Sequence, residues 1–347
     1  LKNTLLLALA ILSSGCATTG GRAPAMTPAQ YHVVRRIPVG GEGGWDLMGI
    51  DSAAHRLYLS HSDRVEVVDL VTGKIAGTIL KTEGVHGIAI APKLRRGFIT
   101  AGRTSSLLVF DLDSLSVTAE VKTTGERPDA ILFDERSGRV LTFNAGGKNA
   151  TVIDAATSAV SGTIPLGGKP ELAVSDGRGH VFVNIEDTSE IAELDPRNLT
   201  VVKRWSLAPC TEPSGLAIDR EHHRLFSGCD NKVMAISDPD AGKVVTTVPI
   251  GEGVDGTAFD AAYGNAFSSN GADGTLTIVH EETSEKFEVL ATLPTEKGAR
   301  TIVLDEATHH IYLPTARFGP PPAPTTERPH PRPSIVPGTF EVIEVAP

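Results

Sequence analysis

The sequence predicts an all-β protein: a seven-bladed β-propeller of four-stranded antiparallel blades, its ring closed by the N-terminal strand. Three observations predict it. First, one phrase recurs seven times: an apolar run, an acid, a polar turn, then a β-rich run. The first run ends at Asp51, Ala91, Asp134, Asp176, Asp219, Asp260 and Asp305, so the repeat is 40 to 45 residues long. Second, glycine (35 residues) and proline (23) are abundant and no helical apolar period lasts three turns, which favours many short strands. Third, the last unit stops one strand short, and a matching strand stands at the other end of the chain.

The elements follow in chain order. Lys2 precedes the apolar run LLLALAIL and then Ser13, Ser14, Gly15 and Cys16, so residues 1–15 read as a secretory signal. Eight apolar residues fall far short of the roughly 20 that a spanning helix needs. The SSGC run resembles a bacterial lipobox, which implies lipidation of Cys16. Plain cleavage near Gly15 to Ala17 is the alternative. Residues 16–30 are small, polar and rich in Pro and Gly, as a flexible tether is. The propeller then occupies residues 31–347. Its third unit reads PDAILFD, RVLTF, ATVID and AVSGTIPLG; its fifth reads PSGLAID, RLFSG, KVMAIS and KVVTTVPIG. Val, Ile, Leu and Thr fill these runs and Gly, Asp and Asn bound them, as expected of strands and turns. The seventh unit offers ARTIVLD, HIYLP and GTFEVIEVAP, while residues 31–40 (YHVVRRIPVG) match the fourth strands IPLGG and VPIGE. The first strand therefore completes the last blade and leaves no open sheet edge.

Composition excludes several functions. The chain has 347 residues, 40% hydrophobic and 21% charged, enough for a large core, and carries a net charge of -10 without a Lys/Arg run. An acidic surface of that kind has no electrostatic footprint for nucleic acid. HExxH, CxxC, Gly-x-Ser-x-Gly and GxxxxGK[ST] are all missing, which disfavours zinc protease, elbow-type serine hydrolase and nucleotide-driven chemistry.

The phrases HGIAIAP, PDAILFD, GGKPELAV, EPSGLAID, GVDGTAFD and GARTIVLD carry a resemblance over residues 31–347 to the YVTN-repeat, YncE-like family of exported seven-bladed propellers. YLSH, FITA, LTFN and IYLP stand where that family has its tetrapeptide. The resemblance implies an exported binding or surface protein, periplasmic or lipid-anchored. Similar propellers elsewhere carry lactonase or lyase sites.

In such a ring the first strand of each blade lines the channel, and one position per blade stands just before it. Those positions are Asp46, His86, Asp129, Glu171, Ser214, Asp255 and Arg300. Together they form the expected ligand-binding set. Asp46, Asp129, Glu171 and Asp255 are the expected metal ligands, since clustered carboxylates suit hard divalent cations such as Ca²⁺ or Mg²⁺. His86 is the candidate base and Arg300 the candidate clamp for an anionic group. The alternative is a wet channel mouth in which Arg300 pairs with Asp255. His61, Asn144, Asn184 and Asn270 lie on the same face and either extend the site or shape turns. The six repeated aspartates are read as turn-formers. His55, His180, His222, His223, His309 and His310 fall in turns on the opposite face.

Cys210 in the link into blade five and Cys229 at the end of that blade's second strand point to one face, which predicts a disulfide; two free thiols are the alternative. Residues 317–338 interrupt blade seven with eight prolines and carry Arg317, Arg328, His330 and Arg332, a stiff loop beside the mouth. The function expected is binding of a small molecule, metal or envelope protein at the mouth by a monomer that meets a membrane only through a lipid anchor. Metal-assisted hydrolase or lyase, lactonase-like, and cell-envelope scaffold are the alternatives.

Overall fold

Short runs of β-branched and aliphatic residues alternate with Asp/Gly turns along the whole chain, and each run becomes a strand. The computed structural model describes residues 31–323 and 333–347. Twenty-eight strands, β1 to β28 in chain order, make seven four-stranded antiparallel sheets. Blades one to six span residues 48–80, 85–122, 128–165, 170–206, 213–249 and 254–294. Among the described residues there is no α-helix, and no helix long and apolar enough to cross a membrane.

Blade seven is built from both ends of the chain. β26 (Val303–Asp305), β27 (His310–Thr315) and β28 (Glu341–Ala346) are followed outward by β1 (His32–Pro38). Val33 pairs with Val345 and Ile37 with Val342, with one bulge between Val33 and Arg35. Ion pairs fix the register from the sides: Arg35 to Glu344 at 2.5 Å, Arg36 to Glu341 at 2.6 Å and Arg36 to Glu296 at 2.9 Å. Tyr31 packs edge-on to Phe267 and accepts a hydrogen bond from Asn265, which ties the closing strand to blade six as well. Ring closure by the N-terminal strand is thus as the sequence predicts.

Seven apolar clusters hold the ring, one at each seam between neighbouring blades. At the seam of blades three and four, Leu141, Phe143 and Val152 meet Val181, Val183 and Ile185. The second and third strands of a blade bury both faces this way. Outer strands such as β9 (Val117–Lys122) alternate between exposed and half-buried residues. The repeated aspartates do what was expected: Asp51, Asp134, Asp176, Asp219, Asp260 and Asp305 each accept a turn N–H at 2.7 to 3.1 Å.

Cys210 and Cys229 form the expected disulfide, with Cα atoms 5.6 Å apart. It fastens the link into blade five to the end of β19 (Arg224–Cys229). The base of the proline-rich loop is anchored by a bridge between Phe318 and Ile335, and Phe318 lies 6.0 Å from Trp45, which stacks on Phe340. Arg328, His330 and Arg332 lie outside the described residues, as do Cys16, the signal segment and the tether.

Two outcomes follow for stability. Ile37 is 1% exposed whereas Val34 on the same strand is 44% exposed. Ile37→Ala should cost about 3 kcal/mol in urea unfolding and Val34→Ala no more than about 0.5 kcal/mol. Replacing both cysteines by serine should cost about 3 kcal/mol, from a closed loop with a sequence separation of 19. Thiol titration of the denatured, unreduced protein lacking residues 1–30 should find no free thiol.

Candidate functional site at the channel mouth

The inner strands converge at one end of the channel, and their first residues set the chemistry there. β6 (Val85–Ala91), β10 (Pro128–Asp134), β14 (Pro170–Ser175), β18 (Pro213–Asp219) and β22 (Val254–Asp260) all carry a register shift just at this end. Those shifts bracket His86, Asp129, Glu171, Ser214 and Asp255. A bulge frees one residue from the ladder and re-aims its side chain. Small residues let the strands approach: a Cβ on Gly87 would lie 2.9 Å from the Asp129 carbonyl oxygen, and one on Gly256 2.9 Å from the Ile302 nitrogen. Asp46 stands two residues before β2 (Met48–Asp51), and Arg300 three before β26.

Second-strand side chains pin this end from behind. Thr100 accepts from Gly87 N–H at 2.7 Å and donates to the Asp129 carbonyl at 2.6 Å. Asn184 donates to the Gly215 carbonyl at 2.9 Å, and Ser269 donates to the Arg300 carbonyl. Ser60 accepts from Asp46 N–H at 2.7 Å, while Thr301 donates to the Asp46 carbonyl at 3.0 Å.

Six of the seven expected residues line two adjoining cavities that share Asp46, Asp129 and Arg300. The smaller, about 350 Å³, adds Glu171 and Asp255; the larger, about 610 Å³, adds His86, Arg103, Arg127 and Trp45. Ser214 lines neither: its hydroxyl donates to the Val254 carbonyl at 2.9 Å. The tight group is Asp46, His86 and Asp129, with one ligand atom of each within 4.8 Å of the others. His86 Nδ1 is 2.6 Å from Asp46 Oδ2 and 3.5 Å from Asp129 Oδ1. Arg300 Nε binds Asp255 Oδ2 at 2.6 Å, and its Nη2 donates to the Trp45 carbonyl at 3.1 Å and reaches Asp46 Oδ1 at 3.4 Å. Glu171 pairs with Lys169 at 2.7 Å, and Lys169 also pairs with Glu186. Asp255 and Glu171 therefore have cationic partners of their own, and a histidine nitrogen takes their place in the ligand-spaced group. His61, Asn144 and Asn270 are fully buried in local networks: His61 against Phe340 and Arg64, the asparagines among threonines and Ser268.

The crowded acids resist ionisation. Burial, aided by the charges of Asp46 and Asp255 and opposed by His86, pushes the Asp129 carboxyl up to about 6. Burial raises Glu171 further, against the pull of Lys169, and raises Asp255 against the pull of Arg300. The hydrogen bond that His86 gives to Asp46 raises the imidazole, with burial opposing and Asp129 assisting. Such a site holds protons where a cation could stand instead.

Sequence reasoning missed Arg103, Arg127 and Lys169. Arg127 and Lys169 each stand two residues before a mouth acid, in ERPD and GKPE, so the links between blades held the signal. Arg103 lies in the turn after β7 (Arg96–Ala101).

Neither a protein family nor a curated protein matches the chain. Among solved structures it is similar to a chain of Kuenenia stuttgartiensis hydrazine synthase, with a TM-score of 0.67 and 15% identity, over 85% of this chain and 95% of that one. At that identity the likeness shows the fold alone, a seven-bladed β-propeller.

Asp129 generates a pH prediction. The folded carboxyl keeps its proton up to about 6 and an unperturbed one only to 3.8. Ionisation therefore removes stability as pH rises through 4 to 6, by at most about 3 kcal/mol. Asp129→Asn should raise the unfolding temperature of metal-free protein at pH 7.5 and leave it unchanged at pH 3.5.

Proposed function

We propose that the protein is an exported ligand-binding propeller. Its mouth holds a divalent cation on Asp46, His86 and Asp129 and, through that cation with Arg103 and Arg127, the anionic group of a small molecule. The observation that carries this reading is the ligand-spaced group of two carboxylates and one imidazole, whose carboxylates line both of two adjoining open cavities. A nitrogen ligand moves the preference from Ca²⁺ or Mg²⁺ towards Mn²⁺ or Zn²⁺. Arg103 and Arg127 are exposed and line the larger cavity together with His86 and the two acids. The disulfide suits an oxidising compartment, and the signal-like start and YncE-like phrases agree with export to the periplasm or a lipid anchor.

A second reading, metal-assisted hydrolysis or elimination, draws on Glu171. A buried carboxyl that keeps its proton near neutral pH can give it to a leaving group. His86 is less suited to be the base, because Nδ1 is committed to Asp46 and the ring is held towards its charged form.

Chelator-stripped protein should gain about 3 kcal/mol of stability with Mn²⁺ at about 100 times its Kd. His86→Ala should abolish that gain, and an unchanged gain would sink the reading. Arg103→Ala with Arg127→Ala should keep the Mn²⁺ effect while citrate, used as an anionic probe, loses affinity by about tenfold or more. Turnover of a lactone by the Mn²⁺ form, lost in Glu171→Gln with Mn²⁺ binding intact, would establish the hydrolytic reading instead.

A further inference from the structure

A second cluster lies on the face opposite the mouth, at the seam of blades five and six. Asp219 ends β18, His222 lies in the turn that follows, and Glu281 belongs to β24 (Thr275–Thr283) of the next blade. His222 Nδ1 is 2.8 Å from Asp219 Oδ2 and 2.9 Å from Glu281 Oε1. One ligand atom from each lies within 4.8 Å of the others.

The hydrogen bonding there is incomplete. Glu281 is 0% exposed, and neither of its oxygens has a hydrogen-bond partner; His222 Nδ1 has none either. The ring nitrogen is close to two oxygens but aimed squarely at neither. A fully buried carboxylate without donors is costly. Asp219 adds a second acid beside it, and its other oxygen accepts the Glu221 N–H at 2.8 Å. Arg224, two residues beyond His222, is engaged with the Ser284 carbonyl, Glu285 and Asp238. At the next seam a histidine of the following blade's turn pairs with a single acid: His309 Nδ1 bonds Asp260 Oδ2 at 2.9 Å and joins no ligand-spaced group.

Two acids and an imidazole aimed at one buried point need a positive charge between them. A proton supplies it in part, and burial together with Asp219 holds the Glu281 carboxyl well above its ordinary range. A divalent metal uses all three atoms at once. We propose that Asp219, His222 and Glu281 form a zinc-class metal site that fastens the turn of blade five to the third strand of blade six. Mixed nitrogen and carboxylate ligands select zinc over calcium or magnesium. Tetrahedral ligands at about 2.1 Å from zinc stand about 3.4 Å apart, so the two spacings to His222 open by about half an ångström on binding. The His222 side chain is 30% exposed, so the group is open to solvent on that side.

The site is independent of the mouth, so it is tested in a full-length His86→Ala chain, from which the mouth group has been removed. After chelator stripping, ZnCl₂ titrated calorimetrically should bind at one ion per chain and raise the unfolding temperature. Co²⁺ should give the visible absorption of a four-coordinate ion. Adding His222→Ala should weaken zinc binding by about tenfold or more, and adding Glu281→Gln should do the same without destabilising the metal-free chain. Should the Glu281 variant not fold, the His222 variant, altered in a turn, decides alone. No zinc binding in the His86→Ala chain, or binding unchanged by His222→Ala, overturns the proposal.

Discussion

The structure depends on a sheet face that only the next blade can cover. Each blade's middle strands are apolar on both sides, and each side is filled by a neighbour: Phe143 against Val183, Phe226 against Phe259, Phe267 near Ile311. Burying such faces is the main favourable contribution to folding. In a ring no blade is terminal, so every face finds cover only when the last seam shuts. That is why β1, contributed by the far end of the chain, carries so many fastenings: a ladder, three ion pairs and the Tyr31 contact with blade six.

Closure also explains how the mouth can hold what it holds. Asp46, Asp129, Glu171 and Asp255 are brought together against their mutual repulsion because the strands bearing them cannot move apart without opening an apolar seam. Burial first, and repulsion after it, raises the carboxyl pKa values of Asp129, Glu171 and Asp255, and that cost is offset by packing elsewhere. Lys169 and Arg300 relieve part of it. What remains is a group of carboxyls that hold their protons to higher pH than usual.

Architecture was legible in the sequence because it is written as a period. Repeated apolar runs, repeated Asp turns and the stray strand at residues 31–40 fix blade number and closure without any tertiary knowledge. The mouth was legible to the level of position, since one residue per blade must face the axis. Which of those residues act together was not. Ser214 turns to the Val254 carbonyl, and Glu171 and Asp255 are engaged by cations, because those choices depend on side-chain contacts across blades. The cluster of Asp219, His222 and Glu281 was hidden for the same reason. Glu281 stands about sixty residues beyond Asp219 and His222, and each alone looks like a turn residue or an ordinary strand residue.

The hydroxyl and amide side chains behind the mouth carry a further meaning. Thr100, Asn184 and Ser269 grip main-chain atoms of the neighbouring inner strand, never the side chains that face the axis. Frame and fittings are thus separate: the polypeptide trace around the axis is held by groups with no stake in what projects from it. Exchanging an aspartate for a lysine or a tyrosine at one of these sockets alters the charge at the mouth without removing a bond that holds the frame. A ring built like this can be retuned to a new guest one blade at a time.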